Sequence, residues 1–162
     1  MDKAKLTPTD VGKYFYSLNN DLTDMQIQKL VYYAYAWYMI KNGEARLFDE
    51  SPEAWEHGPV FRSLYDDMKS DKFKEKNNEV KKISPNIKNF LSYIYVVYGK
   101  YSGNELENMT HSELPWQKAR RKQHKRFGKS FKNVIQHMNF NSAKSRTKIL
   151  DDDILLWGAS IK

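Results

Sequence analysis

With no cysteine anywhere in its 162 residues, this chain can do no thiol chemistry, and its histidines and carboxylates are the side chains to weigh first. Disulfides, thiolate zinc sites and thiol nucleophiles are excluded. The four histidines are His57, His111, His124 and His137, and their spacing gives no HExxH pair or comparable metal-ligand pattern. There is no GxGxxG, Walker A or GxSxG sequence, and the seven glycines form no phosphate-cradling cluster. Adjacent carboxylates occur at Asp66-Asp67 and Asp151-Asp152-Asp153. Neighbouring positions on a helix point apart, so neither group makes an acid/base pair by itself. The Asp151 cluster reads as charge compensation at a helix N-terminus. His57 and His111 lie near Trp55 and Trp116. Such an imidazole can serve as a general base, or it can hydrogen-bond a carbonyl and fix a turn. No nucleophile or second acid accompanies either, which favours the structural role. No catalytic residue, metal ligand or cofactor is expected.

The elements that would carry these residues are mostly helical. Thr7-Pro8 gives a cap followed by proline, and Val11, Tyr14, Phe15 and Leu18 follow at helical spacing, predicting a helix from about Pro8 to Leu18. Thr23 and Gln26 form a capping box. Ile27, Leu30, Val31, Ala34, Trp37 and Tyr38 then make an apolar stripe, widened by Tyr32, Tyr33 and Tyr35. This helix should contact neighbours on most sides, form the centre of the core and end at Gly43. Arg46–Phe48 reads as short and extended, Ser51–Trp55 as a helical turn, and Gly58-Pro59 as the break that starts the next helix, with Phe61, Leu64, Tyr65 and Met68 inward. Residues 70–82 read as loop or weak hairpin, and Glu79–Ile83 could pair with Arg46–Phe48. Ser84-Pro85 repeats the cap signal ahead of Ile87–Tyr98. Shorter helices are predicted over Ser102–Met109 and from Glu113 to about Lys122, with a turn or two near Val134, Ile135 and Met138 and a final element over Ile149–Trp157. The expected fold is mainly α: a single compact domain spanning 1–162, of about six to seven helices with a small β element.

Charge is unevenly placed. The net charge is +7, while residues 118–132 alone hold eight cations and no acid, so the rest of the chain is close to neutral. Arg120, Arg121, Lys122, Lys125, Arg126, Phe127 and Phe131 are therefore the candidate partner-binding residues. Three readings of this segment stand: a solvated charge run, a surface for an acidic protein, or a nucleic-acid contact in which the two phenylalanines stack bases. No helix-turn-helix signature supports the third. The longest apolar run, Val31–Ile40, is too short to span a bilayer, and MDKAKLTPTD carries no apolar leader, so a cytoplasmic protein without membrane attachment is expected.

Four segments, in order, resemble the Panacea domain of SocA-like (GepA-family) antitoxins: TDVGKYF at Thr9–Phe15, QIQKLVYYAYAWYM at Gln26–Met39, LFDESPEAWEHGPVFRSLY at Leu47–Tyr65, and THSELPW at Thr110–Trp116. The last two are the most specific. The residues that carry the resemblance are Lys29, Leu30, Tyr33, Trp37, Trp55, His57, Gly58, Pro59, Val60, Tyr65, His111 and Trp116, and they are read as structural. Beyond Trp116 the likeness fades, and the basic segment is longer than the pattern implies.

The resemblance implies a mostly helical antitoxin encoded beside its toxin, often on prophages or other mobile elements. Its partner would be a cognate toxin from the adjacent gene, bound directly and without catalysis. Members of the family pair with toxins of unrelated kinds, and one acts as an adaptor that delivers its toxin to a protease. An adaptor role involving a host protease and a nucleic-acid-binding role are the alternatives.

Overall fold

A computed structural model describes residues 6–75, 83–126 and 144–161. Among these residues the chain forms seven α-helices and one two-stranded antiparallel sheet, a mainly α fold. Helix α1 (Pro8–Leu18) begins at a capping box in which Thr7 Oγ1 accepts from the Asp10 amide at 3.1 Å and Asp10 accepts from the Thr7 amide at 2.9 Å. Helix α2 (Asp24–Lys41) opens on the matching Thr23/Gln26 box. Asn42 caps its other end, followed by Gly43 at φ +61°. Residues 27–36 of α2 are all buried. A helix apolar on every side needs neighbours on every side, and α2 has them: α1 and five of the elements that follow in the chain pack against it.

The chain after α2 departs from expectation. Ser51–Trp55 is not a helical turn: Glu53–Trp55 is strand β1, paired with β2 (Gly58–Val60) through Glu53↔Val60, Ala54↔Pro59 and Trp55↔Gly58. Gly58 sits at φ +112°, a conformation that favours glycine and lets the chain reverse here. Pro59 consequently lies in a strand, and helix α3 starts later, at Arg62 (Arg62–Met68). Arg46–Phe48 forms no strand. Its apolar side chains are drawn inward instead, with the Phe48 ring packed 5.3 Å from Tyr35 and 4.9 Å from Phe61. The partner proposed for it, residues 79–82, lies outside the described residues, while Ile83 is buried in the core. A 3₁₀ turn at Asp71–Lys74 tucks Phe73 beneath α1.

Helices α4 (Pro85–Tyr98), α5 (Gly103–His111) and α6 (Leu114–Arg126) follow. Ser84 caps α4, and a Ser102/Glu105 box caps α5. The turn expected near Val134, Ile135 and Met138 lies outside the described residues. The chain then returns to the hairpin: Glu53 bridges Lys148, the Ala54 amide donates to Thr147 O at 2.9 Å, and the Ile149 amide donates to Pro52 O at 2.8 Å. Helix α7 (Asp151–Ile161) packs on α2 and α6. Asp151 accepts from the Tyr35 hydroxyl at 2.8 Å, and Asp153 pairs with Lys118 at 3.1 Å. The acidic helix start is thus tied to particular partners as well as to the helix dipole.

Candidate functional site: the hairpin and its cleft

Several of the sequence-predicted residues converge on the β1–β2 hairpin, because α2 and α6 each send two polar groups to its backbone or to Phe61 just beyond it. From α2, Gln28 brackets Phe61, accepting from its amide at 3.0 Å and donating to its carbonyl at 3.1 Å. One turn on, the buried Lys29 ammonium donates to Pro59 O at 3.3 Å. A β-carbon on Gly58 would lie 2.6 Å from Lys29 Cε and 2.9 Å from Thr110 Oγ1, so glycine permits both the turn and this close approach. From α6, Trp116 Nε1 donates to Trp55 O at 2.8 Å and Arg120 donates to Ala54 O at 3.1 Å. The His111 ring stacks on Trp116 with centroids 4.0 Å apart.

The first residue of β1 is Glu53, whose side chain is 1 % exposed. It accepts from Trp55 Nε1 at 2.9 Å and is paired with Arg62 at 2.8 Å and Lys148 at 3.2 Å. Burial works to raise its pKa, but the hydrogen bonds from Arg62, Trp55 and Lys148 outweigh it and hold the carboxyl below its ordinary value. Farther along α2, Tyr33 stacks on Tyr98 at 4.0 Å and donates its hydroxyl to Glu113. Burial raises that carboxyl to about 7, against the stabilising pull of the Tyr33 hydrogen bond. Trp37 Nε1 donates to the Tyr98 hydroxyl at 2.8 Å, and Leu30 is fully buried.

An acid does accompany both candidate histidines, contrary to the sequence expectation: Glu107 Oε1 lies 2.8 Å from His57 Nδ1 and 3.9 Å from His111 Nε2. Burial depresses the His111 pKa. No nucleophile stands beside either among the contacts of the described residues. The side chains of His124 and His137 lie outside the described residues.

On the outer side of the hairpin a cleft of about 400 Å³ opens between the start of α2, the sheet and α3. Met25, Val60, Met68 and Trp55 give it apolar walls; Lys29, Lys69 and Lys144 give it charge. The Tyr65 ring stands at its edge, with Lys69 Nζ 4.2 Å and Lys144 Nζ 5.0 Å from the ring centroid. The ammonium of Lys144 and that of Lys69 hold the Tyr65 hydroxyl pKa below its ordinary value. Sequence reasoning missed this cleft. Lys69 and Lys144 are far apart in the chain and carry no spacing signal, and Met68 reads as ordinary core.

Of the basic candidates, Arg120 is turned inward to the hairpin carbonyl, with its guanidinium over Trp116. Arg121 and Lys122 are exposed on α6 and line a second hollow of about 290 Å³ with Lys118, Leu150 and Asp153. Lys125 and Arg126 belong to the last turn of α6, and their side chains lie outside the described set, as do Phe127 and Phe131 entirely.

No described helix is long and apolar enough to cross a membrane. Neither the curated proteins nor the solved structures contain a match to this sequence. The family model described as antitoxin SocA-like, Panacea domain, matches residues 27–117. The match begins inside α2 and ends just past Trp116, enclosing the hairpin and every motif residue that grips it, but leaving out Thr9–Phe15 and the basic segment. The chain belongs to the SocA-like antitoxin (Panacea domain) family.

Proposed function

We propose that this chain is an antitoxin that neutralises a cognate toxin by direct protein–protein binding, without catalysis. The observation that carries the reading is the family match across the hairpin and its supporting helices. The geometry is compatible with it: Lys29, Trp55, His57, His111 and Trp116 are spent on holding the hairpin, which gives a rigid scaffold. Rigid presentation limits the ordering cost of association. The toxin is the product of the adjacent gene, and the encounter takes place in the cytoplasm between folded proteins, with the chain acting as a single unit.

The test is co-expression followed by reconstitution. Each neighbouring gene product is expressed alone and with this chain; growth arrest by one of them, relieved by this chain, is the expected result. The purified pair should then form a complex in which toxin activity is inhibited with no protease present. Inhibition that requires a protease would replace the blocking mechanism with delivery for degradation. If no neighbouring product is toxic or bound, the antitoxin reading fails.

A further inference from the structure

Three lysines face the cleft beside the hairpin. Among the described residues no carboxylate lies within 4.0 Å of the Lys29, Lys69 or Lys144 ammonium, although several other lysines and arginines here have such partners. Lys29 is the extreme case, an ammonium with three protons to donate and one carbonyl oxygen in reach. Lys69 and Lys144 come from different parts of the chain, yet both rest on the one Tyr65 ring. Like charges gathered on one aromatic ring repel, and a bound anion would relieve them. Two acids are near. Asp24 stands at the mouth, and Glu107 acts on Lys29 from behind the hairpin while its carboxylate is held by His57. The cationic excess is therefore concentrated on the Tyr65 side.

The walls restrict what the anion belongs to. Met25, Val60, Met68 and Trp55 offer apolar surface beside the lysines, and the volume of about 400 Å³ holds more than one side chain. A free phosphate would leave that surface wet. Among the described residues no glycine-rich loop borders the cleft, and at the start of α2 the Gln26 amide is already engaged by Thr23.

We propose that this cleft receives a carboxylate-bearing side chain from an extended segment of the toxin, clamped by Lys69, Lys144 and the Tyr65 hydroxyl while the adjoining apolar side chain packs on Met25, Met68 and Val60. The proposal rests on the antitoxin reading and names the part of the surface it uses. The carboxylate supplies the missing counter-ion. Its apolar neighbour supplies contact area, and Lys29 adds positive charge from the floor.

The experiment uses the full chain and defined probes: acetyl-Leu-Glu-Phe-amide, its Gln counterpart, and inorganic phosphate. Binding is followed by NMR through the indole N–H of Trp55 and the ring protons of Tyr65. The Glu peptide should shift these signals saturably, the Gln peptide should bind at least about fivefold more weakly, and phosphate should not displace the Glu peptide. The double variant Lys69→Glu/Lys144→Glu changes two exposed side chains and should keep the wild-type circular dichroism while losing about tenfold or more in affinity. The proposal is overturned if Glu and Gln peptides bind alike, if phosphate competes, if the shifts fall elsewhere, or if nothing saturates below about 10 mM. The two readings fail separately. Full neutralisation of the toxin by the double variant would sink the cleft alone, whereas absence of any toxic, bound neighbour would sink the antitoxin reading and leave the peptide titration to be judged by itself.

Discussion

Glu113 caps a chain of aromatic contacts, Tyr98 on Tyr33 and Tyr33 on the carboxylate, and its surroundings set its protonation. Burial raises its pKa from an ordinary 4.5 to about 7. Between those values the folded chain holds a proton that the unfolded chain has released, so stability falls as pH rises through this window. Glu113→Gln should therefore flatten the decline between about pH 4.5 and 7 relative to wild type, as measured by urea unfolding at a series of pH values. An unchanged pH profile would mean that the carboxyl titrates normally. Trp116 illustrates a different residue-scale dependence. Its indole N–H meets a backbone carbonyl of the hairpin, and Trp116→Phe keeps an aromatic surface for His111 while leaving Trp55 O without its donor. A loss of about 1–3 kcal/mol is expected from the same denaturant measurement.

At the level of elements, the hairpin is the part whose form depends least on its own sequence. Each strand has three residues, too few to be stable alone. Its backbone is secured by Gln28, Lys29, Trp116, Arg120 and the returning segment at 147–149. Gly58→Ala tests this dependence, since the new methyl would combine a disfavoured φ with a clash on Lys29 and Thr110. A destabilisation of about 2 kcal/mol or more is expected, visible as a lowered thermal midpoint, and the Trp55 and Trp116 fluorescence should change together. The same dependence explains what could be read beforehand. Helices α1, α2, α4 and α5 announce themselves through Thr7, Thr23, Ser84 and Ser102, because a cap and a 3.6-residue stripe act within a few positions. Ser51–Trp55 reads as a helical turn and Gly58-Pro59 as the start of a helix because proline and glycine mark helix starts as readily as they mark turns. The deciding contacts come from residues up to 95 positions away, as Lys148 is from Glu53. The motif residues around the hairpin, Lys29 included, were legible through resemblance; Lys69 and Lys144 were not, since nothing local links residue 69 to residue 144.

For the molecule as a whole, exposed positive charge occurs in the hairpin cleft and again at Arg121 and Lys122, exposed on α6 where the basic segment begins. Arg121→Glu/Lys122→Glu should leave stability within about 0.5 kcal/mol of wild type, as both side chains face water. If this face guides the toxin in, association measured by stopped flow should slow by about tenfold at low salt and the difference should shrink as ionic strength rises. Unaltered kinetics would mark the segment as a solvated charge run.

The backbone bridge between Pro52–Ala54 and Thr147–Ile149 has a further consequence for how this molecule can be cut. The stretch from 27 to 117, which defines the family, does not close on itself. Its first strand, β1, is bridged on its other side by a piece of chain beyond it, and α7 then lies over α2 and α6 like a clasp. Proteolysis between 126 and 144 would sever the polypeptide without undoing that clasp, leaving two fragments mated through the sheet edge and the final helix. Removing the last twenty residues would do the reverse: the covalent body would stay whole, but a raw strand edge and the buried Glu53 would be laid open to water.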